Sequence, residues 1–501
     1  MGNATVAVAG AGAMGGGIAQ VAAAAGHPVL VYDARAGAAS AAVAQIRGMF
    51  EKLAAKGRMT AAAAAEAGAR LRAAGALAEL APAAVVIEAI VEDLAAKQKL
   101  FAEVESLVSG ECLLATNTSS LSLAAIARAL RAPKRLVGMH FFNPAPLMEL
   151  VEVVGTVVTD PEALERTEAL ARAWGKAPVR ARATPGFIVN RVARPFYAEG
   201  LRLLSEQAAD AATVDAVLRE AGGFRMGPLE LTDLIGHDVN FAVTRTVWES
   251  FFHDPRFTPS LVQQELVEAG WLGRKSGRGF YDYREGAAPS LPRTEAPQPR
   301  PDRVALTGYP DLAAALAARL QSGGVEVVLD PHLPTDLVLH IGDGRTAAAL
   351  EGLAAGNARH QPTVVVDLAL DYATAQRVAI AVSPRCHEDA CASAIGALQA
   401  GGLAVSRLRD LPGLALLRTL AMLANEAADA VHQGVASAPA VDLALRKGVN
   451  YPIGPLAWAD RMGAARVLAV LDGLARFYGE DRYRASPLLR QLAASGGMFH
   501  E

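Results

Sequence analysis

Cysteine is nearly absent from this chain, with three residues in 501. So few thiols exclude a disulfide framework and point to a reducing compartment, the cytoplasm. Long apolar runs are missing too: charges interrupt every hydrophobic stretch before it reaches the length of a membrane span. Basic residues are in no excess, since 48 Lys and Arg face 51 Asp and Glu for a net charge of −3. That balance offers no basic face for nucleic acid. The first strand pattern starts almost at Met1, so no secretory signal peptide is expected. What is present is 52% hydrophobic and 20% charged, the profile of a packed globular protein. Its length exceeds what one hydrophobic core supports, and two to four domains are expected.

Residues 5–9 read as a short buried strand, and Gly10-Ala-Gly12-Ala-Met-Gly15 follows directly. An alanine-rich helix pattern then runs over about 14–25, and a second strand, 29–32, ends at Asp33. Gly10 permits a tight turn, Gly12 lets backbone approach a pyrophosphate, and Gly15 lets the helix pack closely on the sheet. The helix N-terminus offers unpaired N–H groups to phosphates. Asp33 stands where an acid bonds the ribose hydroxyls of a dinucleotide. Asp33 would repel a 2′-phosphate, so the expected cofactor is NAD rather than NADP, with Arg35 as the one residue that argues otherwise.

His140-Phe-Phe-Asn143-Pro144, with Glu152 twelve residues beyond the histidine, carries the chemistry. An imidazole can take a proton from an alcohol and return it near neutral pH. A carboxylate on its other ring nitrogen would fix the tautomer and stabilise the imidazolium. The bland alternative is a core histidine with a chance acidic neighbour. The turn at Pro144-Ala-Pro146 between two strand patterns could bring Glu152 back beside His140. Ser119 follows a strand and an Asn-Thr pair, which places it at the carboxyl edge of the sheet, where ligands bind. It could equally cap the helix after Leu121. Asn190 sits in an otherwise apolar helix pattern, which calls for a ligand or a buried partner.

These motifs resemble those of the L-3-hydroxyacyl-CoA dehydrogenase family. The resemblance extends through Val86-Ile-Glu88-Ala-Ile-Val-Glu92, Thr116-Asn-Thr-Ser119, Thr184-Pro-Gly-Phe-Ile-Val-Asn190, Gly227-Pro-Leu-Glu-Leu-Thr-Asp233 and Gly273-Arg-Lys-Ser-Gly-Arg-Gly-Phe-Tyr. It implies that Ser119 bonds the substrate oxygen and that Asn190 completes the active site. It also implies that Glu92 and Lys97 contact the nicotinamide-side ribose and neighbouring cofactor groups. Met14, Asn117 and Asn143 are expected at the cofactor on the same grounds. The inserted stretch 37–73 would be a helical hairpin that helps hold CoA, with Lys52 and Lys56 toward its phosphates.

Strand patterns at 84–87, 112–115, 135–139 and 150–153 complete a doubly wound sheet. From Pro185 the pattern turns all-helical, with helices expected at 187–204, 211–220, 227–236, 238–252 and 261–269. Five prolines between Pro289 and Pro301 predict a semi-rigid linker. Beyond it, 303–308 resembles a first Rossmann strand, 311–321 its helix and 325–329 the next strand, ending at Asp330. Further strands are expected at 337–341 and 363–368. The glycine fingerprint is missing after Gly308, so no second nucleotide site is expected. A shift of 227 residues aligns Gly227-Pro-Leu with Gly454-Pro-Leu, Glu199 with Glu426, Asp215 with Asp442, Asp233 with Asp460 and Gly236 with Gly463. That period indicates domain duplication.

The fold class is therefore an α/β Rossmann domain followed by an all-α domain, then a linker, a reduced Rossmann-like unit and a second copy of the all-α domain. The boundaries fall at 1–184, 185–284, 285–301, 302–413 and 414–501. The second copy is expected to pack on the first in cis, and a homodimer of the whole chain stays open. Cys386-His387-Glu388-Asp389-Ala-Cys391 fits no common zinc spacing, so no metal is expected.

The resemblance implies NAD-dependent oxidation of an L-3-hydroxyacyl-CoA to the 3-oxoacyl-CoA. Over its full length the chain resembles the long bacterial form associated with phenylacetate catabolism, whose substrate would be (3S)-3-hydroxyadipyl-CoA. The alternatives are 3-hydroxybutyryl-CoA in short-chain acyl metabolism, a free sugar acid, or a silent NAD-binding scaffold. Arg194, four residues past Asn190, would share its helical face and suit the terminal carboxylate of a dicarboxylic acyl chain. Otherwise it reaches solvent or pairs with Glu199 or Asp233.

Overall fold

The structure, a computed structural model, describes residues 4–329, 337–354, 362–384 and 386–500. It comprises two compact units, residues 1–191 with 433–449 and residues 192–432 with 450–501. Packing thus divides the chain differently from the five segments expected in sequence. Part of the second helical copy belongs with the first sheet.

In the first unit the strands are β1 (Val6–Ala9), β2 (Val29–Tyr32), β3 (Leu71–Ala73), β4 (Val85–Glu88), β5 (Leu113–Thr116), β6 (Leu136–Phe141), β7 (Leu150–Gly155) and β8 (Ala177–Arg182). They form one sheet in the order β3-β2-β1-β4-β5-β6-β7-β8. Only the β6–β7 pair is antiparallel; the other neighbours run parallel. The central strands are apolar on both faces because helices cover both. The insertion forms two packed helices, Ala38–Ala55 and Ala61–Ala69, the second capped by Thr60 Oγ1 accepting from Ala63 N at 3.1 Å. It does not stay helical to residue 73, because the alternating Leu71-Arg72 pair enters the sheet as β3. The helix Ala438–Gly448 packs on β7 and β8. A Cβ at Gly448 would stand 2.6 Å from Leu150 Cδ2, so any other residue would have to displace that side chain.

The second sheet contains β9 (Arg303–Thr307), β10 (Glu326–Val328), β11 (Val338–Ile341), β12 (Thr363–Val366), β13 (Arg377–Val382) and β14 (Ala404–Arg407). Its order is β10-β9-β11-β12-β13-β14, again with one antiparallel pair, β12–β13. Among the described residues it has two strands fewer than the first sheet, the reduced Rossmann unit anticipated from sequence. Asp330, expected to close its second strand, lies outside the described residues. The helix Ala211–Glu220 packs on β13, through Gln376 N donating to Glu220 O at 3.0 Å and Arg377 Nε to Glu220 Oε2 at 3.0 Å. This helix and Ala438–Gly448 are copies of each other, and each packs on a sheet that does not precede it in its own copy.

The proline-rich stretch 285–301 is not a spacer. Glu295 N donates to Val405 O at 2.8 Å, Arg293 N to Thr213 Oγ1 at 2.8 Å and Ser406 Oγ to Arg293 O at 2.6 Å. Prolines favour extended backbone, and Arg293 O and Glu295 N of this stretch pair with the β14 edge of the sheet. The helix expected over 187–204 is also interrupted. It forms as Val189–Val192 and Arg194–Ser205, because Pro195 supplies no N–H for the Arg191 carbonyl.

Backbone geometry repeats with the 227-residue period. Phe187 and Leu414 have φ of 48° and 43°, Gln207 and Gly434 55° and 66°, and Gly236 and Gly463 98° and 91°. Within the second unit the helices Arg194–Ser205 and Leu416–His432 pack together. Their buried acids draw arginines from the opposite copy. Glu199 accepts from Arg418 Nε at 2.8 Å and Glu426 from Arg256 Nη1 at 3.0 Å.

Candidate active site

His140 on β6 and Glu152 on β7 are direct cross-strand partners. The turn between them, with a cis peptide at Asn143–Pro144, lets the strands pair in antiparallel register. His140 Nδ1 lies 2.6 Å from Glu152 Oε2. The other carboxylate oxygen accepts from Ile188 N at 3.0 Å and Val189 N at 2.9 Å. Glu152 is completely buried, so three fixed donors define its orientation. A carboxylate at Nδ1 selects the Nδ1–H tautomer of the neutral imidazole, in which Nε2 is the acceptor a general base needs. Among the described residues Nε2 has no protein partner. Phe187, in a left-handed conformation, stacks edge-on to the imidazole with ring centroids 5.7 Å apart. That backbone turn points the next two N–H groups into Glu152, and Pro185-Gly186 is its one trace in the sequence.

Ser119 and Asn190 come to the same end of the sheet. Ser119 lies three residues past β5, and His140 two past the β6 residue that pairs with the end of β5. Asn190 immediately follows Val189, which Glu152 holds. Both are half-buried. The Ser119 loop is anchored by Glu92, whose Oε1 accepts from Thr118 Oγ1 at 2.5 Å, Ser119 N at 3.1 Å and Ser120 Oγ at 2.9 Å. Burial pushes the Glu92 carboxyl up, but Thr118, Lys97 and Ser120 outweigh it and hold its pKa below the ordinary value. Lys97 is no surface lysine. It is buried between Glu88 at 2.5 Å and Glu92 at 3.2 Å, and Thr116 Oγ1 donates to Glu88 Oε2 at 2.6 Å. Sequence reasoning named Lys97 and Glu92 but missed Glu88, the acid at the end of β4 that fixes them. Asn117 Oδ1 accepts from Phe141 N at 2.8 Å, tying β5 to β6.

The glycine loop fits a dinucleotide. Gly10 has φ of 111°, and a Cβ there would lie 2.4 Å from Ala89 O. One at Gly15 would strike Gly10 O, whereas one at Gly12 meets nothing within 4 Å. Gly12 therefore leaves open the space a pyrophosphate would take, at the start of the helix Ala13–Ala24. Asp33 Oδ2 accepts from Ala11 N at 2.8 Å and so also pins this loop. Arg35 bonds both Asp33 oxygens, at 3.0 and 3.1 Å. It holds the carboxyl down to about 2 against the effect of burial. The Arg35 side chain is 73% exposed, so this pair is held weakly. Met14 is half-buried beside the loop, and Asn143 is exposed past β6. Lys52 and Lys56 are exposed at the end of the Ala38–Ala55 helix. Arg194 belongs to the second unit, beyond the helix break, and pairs with neither Glu199 nor Asp233.

The second copy keeps the scaffold of this site without its chemistry. Asp367, directly after β12, accepts from Ala415 N at 3.0 Å and Leu416 N at 2.8 Å. Those residues stand 227 positions beyond Ile188 and Val189, so Asp367 takes over the helix-anchoring half of Glu152's work from a neighbouring strand. Leu417 replaces Asn190, and among the described residues no histidine bonds the acid. Burial pushes the Asp367 carboxyl up to about 6, although backbone N–H groups oppose it. Its folded pKa lies above the unfolded one, so its contribution to stability is complete below about pH 4. That contribution falls away as pH rises through about 6. Subtracting urea-unfolding energies of Asp367→Asn from those of the native chain should isolate this change, about 2–3 kcal/mol between pH 4 and 7. A flat difference would mean that Asp367 does not titrate there.

Among the described residues no helix is long and apolar enough to cross a membrane, and no group of three or more His, Cys, Asp or Glu could hold a metal.

Residues 5–184 match the model of the 3-hydroxyacyl-CoA dehydrogenase NAD-binding domain, and 186–283 and 413–499 match that family's C-terminal domain. The chain belongs to the 3-hydroxyacyl-CoA dehydrogenase family. It is an oxidoreductase with an NAD-binding domain of that family. Residues 339–412 match the 3-hydroxybutyryl-CoA dehydrogenase reduced Rossmann-fold domain. The chain is 45% identical to the 3-hydroxyadipyl-CoA dehydrogenase of Escherichia coli (strain K12) over 98% of its own length and 97% of that protein. It is 40% identical to a probable 3-hydroxybutyryl-CoA dehydrogenase of Bacillus subtilis (strain 168), over 56% of this chain and 96% of the relative. A crystal structure of 3-hydroxybutyryl-CoA dehydrogenase from Escherichia coli K12 superposes with a TM-score of 0.90 at 43% identity, covering 99% of this chain and 100% of the other. The two family C-terminal matches coincide with the duplicated helical copies.

Proposed function

We propose that this enzyme oxidises (3S)-3-hydroxyadipyl-CoA to 3-oxoadipyl-CoA with NAD, with one catalytic site in the first unit. The observation that carries the chemistry is the buried Glu152 oriented by two backbone N–H groups and set on His140 Nδ1. His140 Nε2 takes the hydroxyl proton in oxidation and returns it in the reverse direction. Glu152 holds the tautomer and stabilises the imidazolium that forms. Ser119 donates to the substrate oxygen, Asn190 completes the active site, and Lys52 and Lys56 attract the CoA phosphates. Bound NAD supplies the hydride acceptor. Gly10, Gly12, Met14 and Gly15 would hold its pyrophosphate side and Asp33 its adenosine ribose. Asn117, Asn143, Glu92 and Lys97 would line the nicotinamide side. The enzyme is taken to work in the cytoplasm on a diffusible thioester.

The adipyl reading rests on the relative of that name, which matches over nearly the whole of both chains. The second reading, 3-hydroxybutyryl-CoA, is favoured by the name of the full-length structural match. Following NADH absorbance with 3-oxoadipyl-CoA and with acetoacetyl-CoA separates them. A higher kcat/KM for acetoacetyl-CoA would overturn the first reading. In the same assay NADH should exceed NADPH in kcat/KM by at least about tenfold, because Asp33 accepts from ribose hydroxyls and repels a 2′-phosphate. Equal values would mean that Arg35 turns from Asp33 to the phosphate.

A further inference from the structure

Arg194 opens the helix Arg194–Ser205 and is 6% exposed. Its Nη1 donates to Thr244 Oγ1 at 3.0 Å, and its guanidinium lies 4.8 Å from the Tyr197 ring centroid. Its Nε is buried without a partner. No carboxylate among the described residues lies within ion-pair reach of it. Burial holds its pKa below the ordinary value, with only tyrosines as electrostatic neighbours. A guanidinium nevertheless remains charged.

Arg194 lines a cavity of about 300 Å³ inside the second unit, at the lower end of the size range of small-molecule sites. The other arginines of its wall have acids. Arg202 bonds Glu206 at 2.9 Å and Glu480 at 2.6 Å, Arg256 bonds Glu426 at 3.0 Å and also Asp429, and Arg482 lies 3.6 Å from Glu480. Arg194 therefore brings a positive charge that the wall does not neutralise. Burying such a charge is costly unless something pairs with it. Leu201, Phe257 and Leu261 make part of the same wall apolar, which suits hydrocarbon better than a hydrated inorganic ion.

We propose that this cavity is a subsite for a carboxylate carried on a short aliphatic chain, with Arg194 as its cation. The planar fork of the guanidinium can bond both carboxylate oxygens. The occupant is a free dicarboxylate acting as an effector, so the proposal does not depend on the adipyl reading above.

The test uses the full chain with Arg194→Met and Arg194→Lys. Adipate alone raises the melting temperature of the native chain but not of Arg194→Met. Arg194→Met lowers the affinity for adipate at least about tenfold, and Arg194→Lys recovers part of it. Without ligand, Arg194→Met should melt no lower than the native chain, since it removes an unpaired buried charge. A fall of several degrees would make Arg194 a structural residue and overturn the proposal. No adipate-dependent shift in the native chain, or an equal shift in Arg194→Met, would overturn it as well.

Discussion

Replacing His140 with Gln should lower turnover at least about a hundredfold while leaving NAD affinity nearly intact. A positioned general base commonly contributes about 10²–10⁴-fold, and glutamine offers no group that takes a proton near neutral pH. The cofactor loop lies elsewhere in the sheet. Gly10 and Asp33 follow β1 and β2, separated from β6 by β4 and β5. Titration of NADH fluorescence measures that affinity independently of turnover. Glu152→Gln should also depress turnover, for a geometric reason. The carboxylate now accepts from His140 on one oxygen and from Ile188 and Val189 on the other. An amide has one acceptor. If its oxygen serves the backbone N–H groups, its NH₂ faces Nδ1, the tautomer reverses and Nε2 becomes protonated. If it turns over, NH₂ meets two backbone donors. Near-normal rates in His140→Gln would sink the mechanism.

The parts of this site legible in the sequence are those carried by short runs. Gly10 to Asp33 encodes a strand, a turn, a helix and a strand within one unit, so local chemistry determines it. The His140–Glu152 pair was within reach because an antiparallel turn brings back residues that are near in sequence. Glu88 was hidden by its own motif: an acid at the end of an apolar strand gives no hint that a lysine nine residues on will fold under it. Asp367 was harder still. It anchors the second helical copy from β12, whereas Glu152 anchors the first from β7, so the repeat spacing aligns the anchored residues but not their anchors. The break at Ala193 could have been read from Pro195, and apolar periodicity on both sides masked it. The stretch 285–301 misled for the opposite reason. Its composition is that of a spacer, and groups that pair with its backbone on Thr213, Gln399 and the β14 edge are distant in sequence. Edge strand β8 escaped notice because Arg180 and Arg182 alternate with only two buried residues, Val179 and Ala181.

A chain truncated after Arg284 should lose stability, aggregate or dimerise through its exposed helical face. The helix Arg194–Ser205 buries Phe196, Leu201 and Leu203 and packs on Leu416–His432, which the truncation removes. Glu199, 1% exposed, would lose Arg418 and Tyr483. Arg256 would lose both of its acids. Removing one member of a buried ion pair typically costs about 3–5 kcal/mol, because the remaining charge is stranded. Two such losses rival the whole stability of an ordinary domain, about 5–15 kcal/mol. The first unit suffers as well. Arg182 N would lose Val435 O, and the Ala438–Gly448 helix would be stripped from β7 and β8. A second copy of the truncated chain could restore part of the face, since the duplicated helices show that this fold packs against its own counterpart. Light scattering and thermal unfolding of the truncated chain, measured across a range of concentrations, distinguish these outcomes. A species that stayed monomeric, melted with the full chain and kept full activity would refute a structural role for the second copy. The buried pairs Glu199–Arg418 and Glu426–Arg256 would then contribute nothing to holding the first copy in its active form.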